Sequence, residues 1–196
     1  MVHPNSRLVI VEGASDRVAL ETLAARTGRS LEGLGTSIVA IGGAHAIRRF
    51  LEQLVARDGD VRVAGLCDAG QEGYFKRALE GAGLGAGLDR DGMARLGFFV
   101  CVEDLEDELI RALGPAAVEG VIEAQGELRS FRSFQRQPAQ AGVTVEAQLR
   151  RFMGTHAGRK AQYARALVEA VDLDRVPEPL VQVLAASGTP LRPRHA

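Results

Sequence analysis

The residues best suited to chemistry in this chain are carboxylates that stand where apolar runs end. Glu12 follows RLVIV (7–11), Asp68 follows VRVAGLC (61–67), and Glu103, Asp104 and Glu106 follow LGFFVCV (96–102). Asp16 comes one helical turn after Glu12. Carboxylates gathered at one place repel one another, and a bound cation is the economical way to offset that repulsion. Hard oxygen ligands of this kind suit Mg²⁺ or Mn²⁺. Each acid also has a purely structural reading. Asp16 can complement a helix dipole behind Ser15 as the cap, and EDLEDE (103–108) can be a solvated helix start. Asp68 is harder to read that way, because it leaves a buried run into Ala69-Gly70.

The basic residues carry a second signal. Of 24 Lys and Arg residues only Lys76 and Lys160 are lysines, so each amine invites a reason. Lys76 falls inside a helical pattern and reads as a solvated face. Lys160 can be a helix-surface amine or a functional one, and the arginine-rich background favours the second. Arginines gather at 129–136 and at Arg150, Arg151, Arg159 and Arg165, with Phe131, Phe134 and Phe152 among them. These rings can stack bases or pack a helical region, and a basic surface beside an acidic site suits a phosphodiester substrate. His45, after Gly42-Gly43, can line a site or open a helix. His156 is uncommitted, and His3 and His195 are terminal.

The elements that must position these groups follow from periodicity. Four short apolar runs, 7–11, 37–41, 61–67 and 96–102, are each followed by a Gly- or acid-containing turn and a helical pattern. The helices are expected near 16–27, 44–56, 72–81 and 105–113. Continuous rather than alternating apolar runs imply strands covered on both faces, as in a parallel sheet. Strict alternation of strand and helix gives a doubly wound α/β sheet, in which ligands bind outside the carboxyl ends of the strands. The acids stand there. Beyond this, 115–125, 143–153, 158–171 and 177–186 read as helices, 126–142 as a polar arginine-rich loop, and the end of the chain as frayed.

Composition sets the remaining bounds. A chain of 196 residues with 46% hydrophobic content has length and apolar surface for one real core, which excludes wholesale disorder. No apolar run approaches the roughly 20 residues of a membrane helix, and MVHPNSR lacks the features of a secretory signal. Cys67 and Cys101 are too few for a disulfide framework or a four-cysteine zinc site and read as small buried strand residues. No membrane association and a cytoplasmic location are therefore expected. No G-x-x-x-x-G-K-[ST] and no G-x-G-x-x-G is present, which argues against an in-chain P-loop or dinucleotide site.

The series VIVEGASD (9–16), IGG (41–43), LCDAG (66–70) and CVEDLEDELI (101–110) resembles the Toprim domain of topoisomerases, bacterial primases and certain nucleases. RRFMGTHAGRKAQYARALVEAV (150–171), followed by RVPEPL (175–180), resembles the C-terminal part of the overcoming-lysogenization-defect (OLD) family nucleases. The resemblance implies a Toprim-like, mainly parallel four-stranded sheet with a C-terminal helical appendage. It divides the chain into a catalytic domain at 7–125, an arginine-containing loop and helical appendage at 126–186, and a flexible tail at 187–196. It implies divalent-metal-dependent hydrolysis of DNA, with Glu12, Asp68 and Lys160 catalytic. Glu12, Asp16, Asp68, Asp104 and Glu106 would hold Mg²⁺ or Mn²⁺. Apart from the resemblance, the clustering of basic residues makes Arg150, Arg151 and Arg159 the expected contacts to nucleic acid. The departure is Gly70, where many Toprim domains carry a second Asp. Relatives of this type usually carry an ATPase ahead of the domain, so an ATPase supplied in trans is an expected partner, alongside DNA and a second copy of the chain. The rival expectations are a weakened Toprim domain that binds DNA or an ATPase without cutting, and a phosphatase or nucleotidyl-transferring enzyme on the same sheet.

Overall fold

The computed structural model describes residues 6–56, 61–155, 158–186 and 188–191. His3, His156 and His195 lie outside the described residues, as do tail positions 187 and 192–196. The order of elements is β1 (Arg7–Val11), α1 (Ala14–Arg26), β2 (Thr36–Ala40), α2 (Ile47–Val55), β3 (Val61–Cys67), α3 (Glu72–Gly81), α4 (Arg90–Arg95) and β4 (Phe98–Val100). It continues with α5 (Leu105–Leu113), α6 (Pro115–Ala124), α7 (Leu128–Gln135), α8 (Val145–Met153), α9 (Arg159–Ala170), α10 (Glu178–Ala185) and β5 (Thr189–Leu191).

The sheet runs β2-β1-β3-β4, all parallel, as the continuous apolar runs predict. The chain leaves β1 in one direction to β2 and returns past it to β3, so the switch of direction falls at β1 and β3. Open α/β sheets form their ligand crevice at that place. Three expectations need correction. A fifth strand, β5, pairs antiparallel with Val61–Val63 of β3, so part of the segment expected as flexible tail is ordered into the sheet. It shares an edge of β3 with β4, which takes Gly65–Cys67. Pro190 sits in β5 opposite Arg62, on a peripheral strand where a missing N–H is tolerated. The segment expected as loop at 126–142 holds α7, which buries Phe131, and a short 3₁₀ turn at Pro138–Gln140. A further short helix, α4, precedes β4, capped by the Asp89 carboxylate, which accepts from the Gly92 N–H at 2.7 Å.

The pleat divides each apolar strand between two cores. Val9 and Val11 of β1 and Ala64 and Leu66 of β3 face one core, which α1 and α5 to α10 cover. Ile10, Val61, Val63 and Cys67 face the other, under α2, α3 and α4. The larger core runs without a break from the sheet into the C-terminal helices: Leu20 and Leu23 of α1 belong to the same cluster as Tyr163, Leu167 and Val168 of α9. The region expected as an appendage therefore shares its core with the sheet. Arginines fasten the two parts further. Arg26 donates to the Val168 and Val171 carbonyls at the end of α9, and Arg7 donates to the Val183 and Leu184 carbonyls of α10. Among the described residues no helix is long and apolar enough to cross a membrane.

Gly65 lets β1, β3 and β4 lie close. A Cβ there would meet the Phe98 ring at 2.6 Å and the Ile10 carbonyl oxygen at 3.0 Å. Overpacking of this kind costs about 1–3 kcal/mol. Gly65→Ala is expected to lower the urea midpoint accordingly without changing the denaturant slope, and an unchanged midpoint would show that Phe98 can move aside.

Candidate metal centre

Two adjacent parallel strands deliver the central acids. β1 and β3 are paired through Ile10 and Gly65, and Glu12 and Asp68 stand just beyond their carboxyl ends. The Asp68 N–H donates to Glu12 Oε1 at 3.2 Å, so the backbone of one acid positions the side chain of the other. After β2 the turn at Gly42 (φ 77°) and Gly43 (φ 116°) wraps the same residue, both N–H groups donating to the Glu12 carbonyl at 3.0 Å. These dihedrals lie where a side chain is strained, which gives the two glycines their reason. α1 begins at Gly13 as N-cap, and the Asp16 carboxylate accepts from the Gly13 N–H at 2.8 Å. The structural role expected of Ser15 thus falls to Gly13, and Asp16 is tied back towards Glu12.

The third contributor is α5. Its N-cap is Asp104, whose Oδ1 accepts from the Asp107 N–H at 2.9 Å. Asp104 Oδ2 accepts from Arg150 at 2.6 Å. Both oxygens of Asp104 are therefore engaged, and it does not line the acidic cleft. Glu106, in the first turn of α5, does line it and is 3% exposed, with Oε2 3.4 Å from the Lys160 ammonium. Glu106 Oε1 is buried with no hydrogen-bond partner. Glu108, which the sequence offers only as part of a solvated helix start, is buried and braces the loop after β4: it accepts from the Val102 N–H at 2.7 Å and pairs with Arg111 at 2.8 Å.

Glu12, Asp16, Asp68, Glu106 and Lys160 thus surround one cleft of about 470 Å³, with Gly42 and Gly43 on its wall. Its electrostatics are those of crowded acids. Burial raises the Asp68 carboxyl to about 7, helped by the charges of Asp16, Glu12, Asp104 and Glu106. Asp16 is raised to about 6, by burial first and then by Glu106 and Glu12, against the opposing Gly13 hydrogen bond. Glu12 is also raised by burial, though the Asp68 and Ala44 N–H groups and Lys160 oppose the rise. Burial works against the charge on Lys160, yet Glu106, Asp104 and Asp68 outweigh it and hold the ammonium above its ordinary value. Cys67 and Cys101, on neighbouring strands, are buried thiols raised by burial and by these same acids, so neither offers a thiolate.

Among the described residues no three His, Cys, Asp or Glu side chains close on one point as coordinated ligands do. The chemistry of the set nonetheless fits a hard divalent cation. The donors are carboxylate oxygens, one of them is orphaned in the interior, and two hold their protons to higher pH because they are buried and, secondarily, crowded by other acids.

Several arginines and rings of the C-terminal region have partners within the protein. Arg159 donates to Glu127 at 2.7 Å and lies 4.6 Å over the Phe152 ring, and Arg150 is spent on Asp104. Arg151 is exposed on α8. Phe131 and Phe152 are buried and meet edge to face at 5.2 Å, so of the two readings open to them, packing holds. Lys76 pairs with Glu72 at 3.5 Å on α3.

The chain matches one family model over residues 6–69, described as "Overcoming lysogenization defect protein-like, TOPRIM domain". Residues 6–69 thus resemble an OLD-like Toprim domain. The match covers β1 to β3 with Glu12, Asp16 and Asp68, and solved structures extend the likeness of fold over the rest. The C-terminal region of the Xanthomonas campestris pv. campestris OLD protein is 21% identical with a TM-score of 0.66, covering 94% of this chain and 95% of that one. The C-terminal region of the Burkholderia pseudomallei OLD protein is 21% identical with a TM-score of 0.64, covering 91% and 94%. No curated protein matches the sequence. The helices α5 to α10 are therefore part of the same fold as the Toprim sheet in these structures too.

The raised acids make the Toprim domain's stability depend on pH in a defined sense. Asp16 and Asp68 hold protons to about pH 6 and about pH 7 when folded, against the ordinary 3.8. Between those limits the folded chain binds more protons than the unfolded one, so their contribution is present at the acid end and lost as pH rises. The melting temperature of the metal-free protein is expected to lose this contribution from about pH 4 to about pH 7, and Asp68→Asn to flatten the decline. Scanning fluorimetry in EDTA checks it; an equally steep decline in Asp68→Asn would refute the assignment.

Proposed function

We propose that this chain hydrolyses phosphodiester bonds of DNA, using Mg²⁺ or Mn²⁺ held by Glu12, Asp16, Asp68 and Glu106. The match of residues 6–69 to an OLD-like Toprim domain supports a nuclease-type reading. The observation that carries the reading is the cleft itself: four crowded acids on one side and the Lys160 ammonium on the other. A divalent ion held by these acids would supply Lewis acidity to a phosphate oxygen and would lower the pKa of a bound water. Glu12 is oriented for its part by the Asp68 N–H, and Asp16 by the Gly13 N–H, so neither must be ordered when substrate arrives. Lys160 is half exposed and stays charged, so it can leave Glu106 for a phosphate oxygen and offset the charge that develops there. Asp104 acts one step back, holding the start of α5 and Arg150 while adding to the field that raises Asp68. The glycine turn leaves the cleft wall free of side chains for a backbone to approach.

The same proposal takes DNA as partner, an ATPase supplied in trans and a second copy of the chain as candidate assemblies, and the cytoplasm as compartment. Purified protein is expected to nick supercoiled DNA with Mg²⁺ or Mn²⁺ and not with EDTA. Asp68→Ala should abolish cleavage, and Lys160→Met should slow it by about 10²–10³-fold, the scale for losing one transition-state donor. A folded Asp68→Ala protein that cuts at the wild-type rate would sink the assignment.

One observation favours a second reading, a Toprim domain that binds without cutting. Glu106 and Asp104 already have cationic partners, and Gly70 brings no carboxylate of its own. On that reading Mg²⁺ or Mn²⁺ leaves the melting temperature unchanged, whereas the nuclease reading requires each to raise it above pH 7 through the ligand acids.

A further inference from the structure

Beside the acidic cleft lies a second one, of about 420 Å³, which the proposed chemistry leaves unused. The two adjoin at the turn after β2: Gly43 lines the first and Ala44 the second. His45 follows in the short 3₁₀ turn Ala44–Ala46, and its ring lies 4.2 Å from the Tyr74 ring of α3, tilted by 49°. The Arg77 guanidinium lies 5.0 Å from the centre of the same Tyr74 ring. His45 and Arg77 are exposed and Tyr74 is half-buried. Among the described residues Arg77 has no carboxylate paired with it, unlike Arg150, Arg159 and Arg111.

Two rings and a free guanidinium in one open cleft form a surface on which a nucleobase stacks while its phosphate meets positive charge. Of the aromatic residues that the sequence offered for that task, Phe131 and Phe152 are buried, and Phe134 is half-buried with its ring 5.7 Å from that of Phe152. The surface is also rigidly tied to the acids, since the Gly42 and Gly43 N–H groups donate to the Glu12 carbonyl and the Ala44 N–H reaches the Glu12 carboxylate. A strand lying across the acidic cleft would therefore bring a neighbouring base onto these rings.

We infer that His45, Tyr74 and Arg77 form a stacking platform for an unpaired base, so that the strand held at the acidic cleft is single-stranded or locally opened DNA. The inference rests on the nuclease reading and names the form of its substrate. A paired base, stacked within its duplex, has no free face to offer the platform.

The sequence contains no tryptophan, so Tyr74→Trp places a sole reporter in the platform. In EDTA, where no cleavage occurs, an oligothymidylate is expected to quench its emission. An abasic oligonucleotide of equal length and charge, or a duplex, should quench it at least tenfold less effectively. Tyr74→Ala should weaken oligothymidylate binding, followed by anisotropy of a labelled strand, about tenfold, while Tyr74→Phe retains it. Equal quenching by the abasic strand or by duplex overturns the platform, as does no quenching at all. If the reporter variant fails to fold, unchanged affinity in a folded Tyr74→Ala protein overturns it equally. Metal-dependent nicking by the wild type, measured in parallel, separates the two ideas: nicking without base-dependent quenching removes the platform and leaves the nuclease.

Discussion

Parallel strands that lie side by side deliver their next residues to the same place, and here those residues are Glu12 and Asp68. Crowding of carboxylates at the carboxyl edge of the sheet is the constraint on which the remaining architecture turns. Burial and, behind it, the neighbouring like charges raise the pKa of Asp16 and Asp68, and the fold must supply counter-charge, donors or protons to keep them there. Backbone N–H groups from the β2 turn, from the end of β3 and from the start of α1 provide part of the answer. Lys160 and Arg150, from helices far along the chain, provide the rest.

That second supply explains why the C-terminal helices are bound so closely to the sheet. Lys160 can face Glu106 only if α9 is held in place and rotation, and α9 is fixed along its length. Its buried side carries Tyr163, Ala164, Leu167 and Val168 against α1 and α5. At its start Glu127 accepts from both Arg159 and Tyr163, and at its end Arg26 satisfies the free carbonyls. The Tyr163 hydroxyl is pushed well up by burial and by Glu127, so it remains a donor throughout the physiological range.

Much of this was legible in the sequence, and the parts that were not have identifiable causes. β1, β3, α3 and α5 match the expected ranges because short β-branched runs and clean helical periods leave little ambiguity. α7 was hidden by its arginines, which mask the spacing of Leu128, Phe131 and Phe134. β5 was hidden by Pro190, which argues against a strand unless the pairing partner is already known. The acids were found because topology converts strand ends into neighbours. The pairing of Arg150 with Asp104 was not, since 46 residues separate them and no local pattern links the two. His45 had two readings in sequence; only the ring of Tyr74 beside it distinguishes them.

The continuity of the larger core has a bearing on how the molecule can be divided or recombined. A fragment ending after α6 would keep every acid of the cleft, yet it would turn Leu20, Leu23 and Leu109 towards water and leave Glu106 without its ammonium. Such a piece would be sticky and electrostatically unbalanced at once. The smallest transplantable unit is therefore the sheet together with α5 to α10, and a graft of this domain onto another scaffold must carry both ends of the chain as one body.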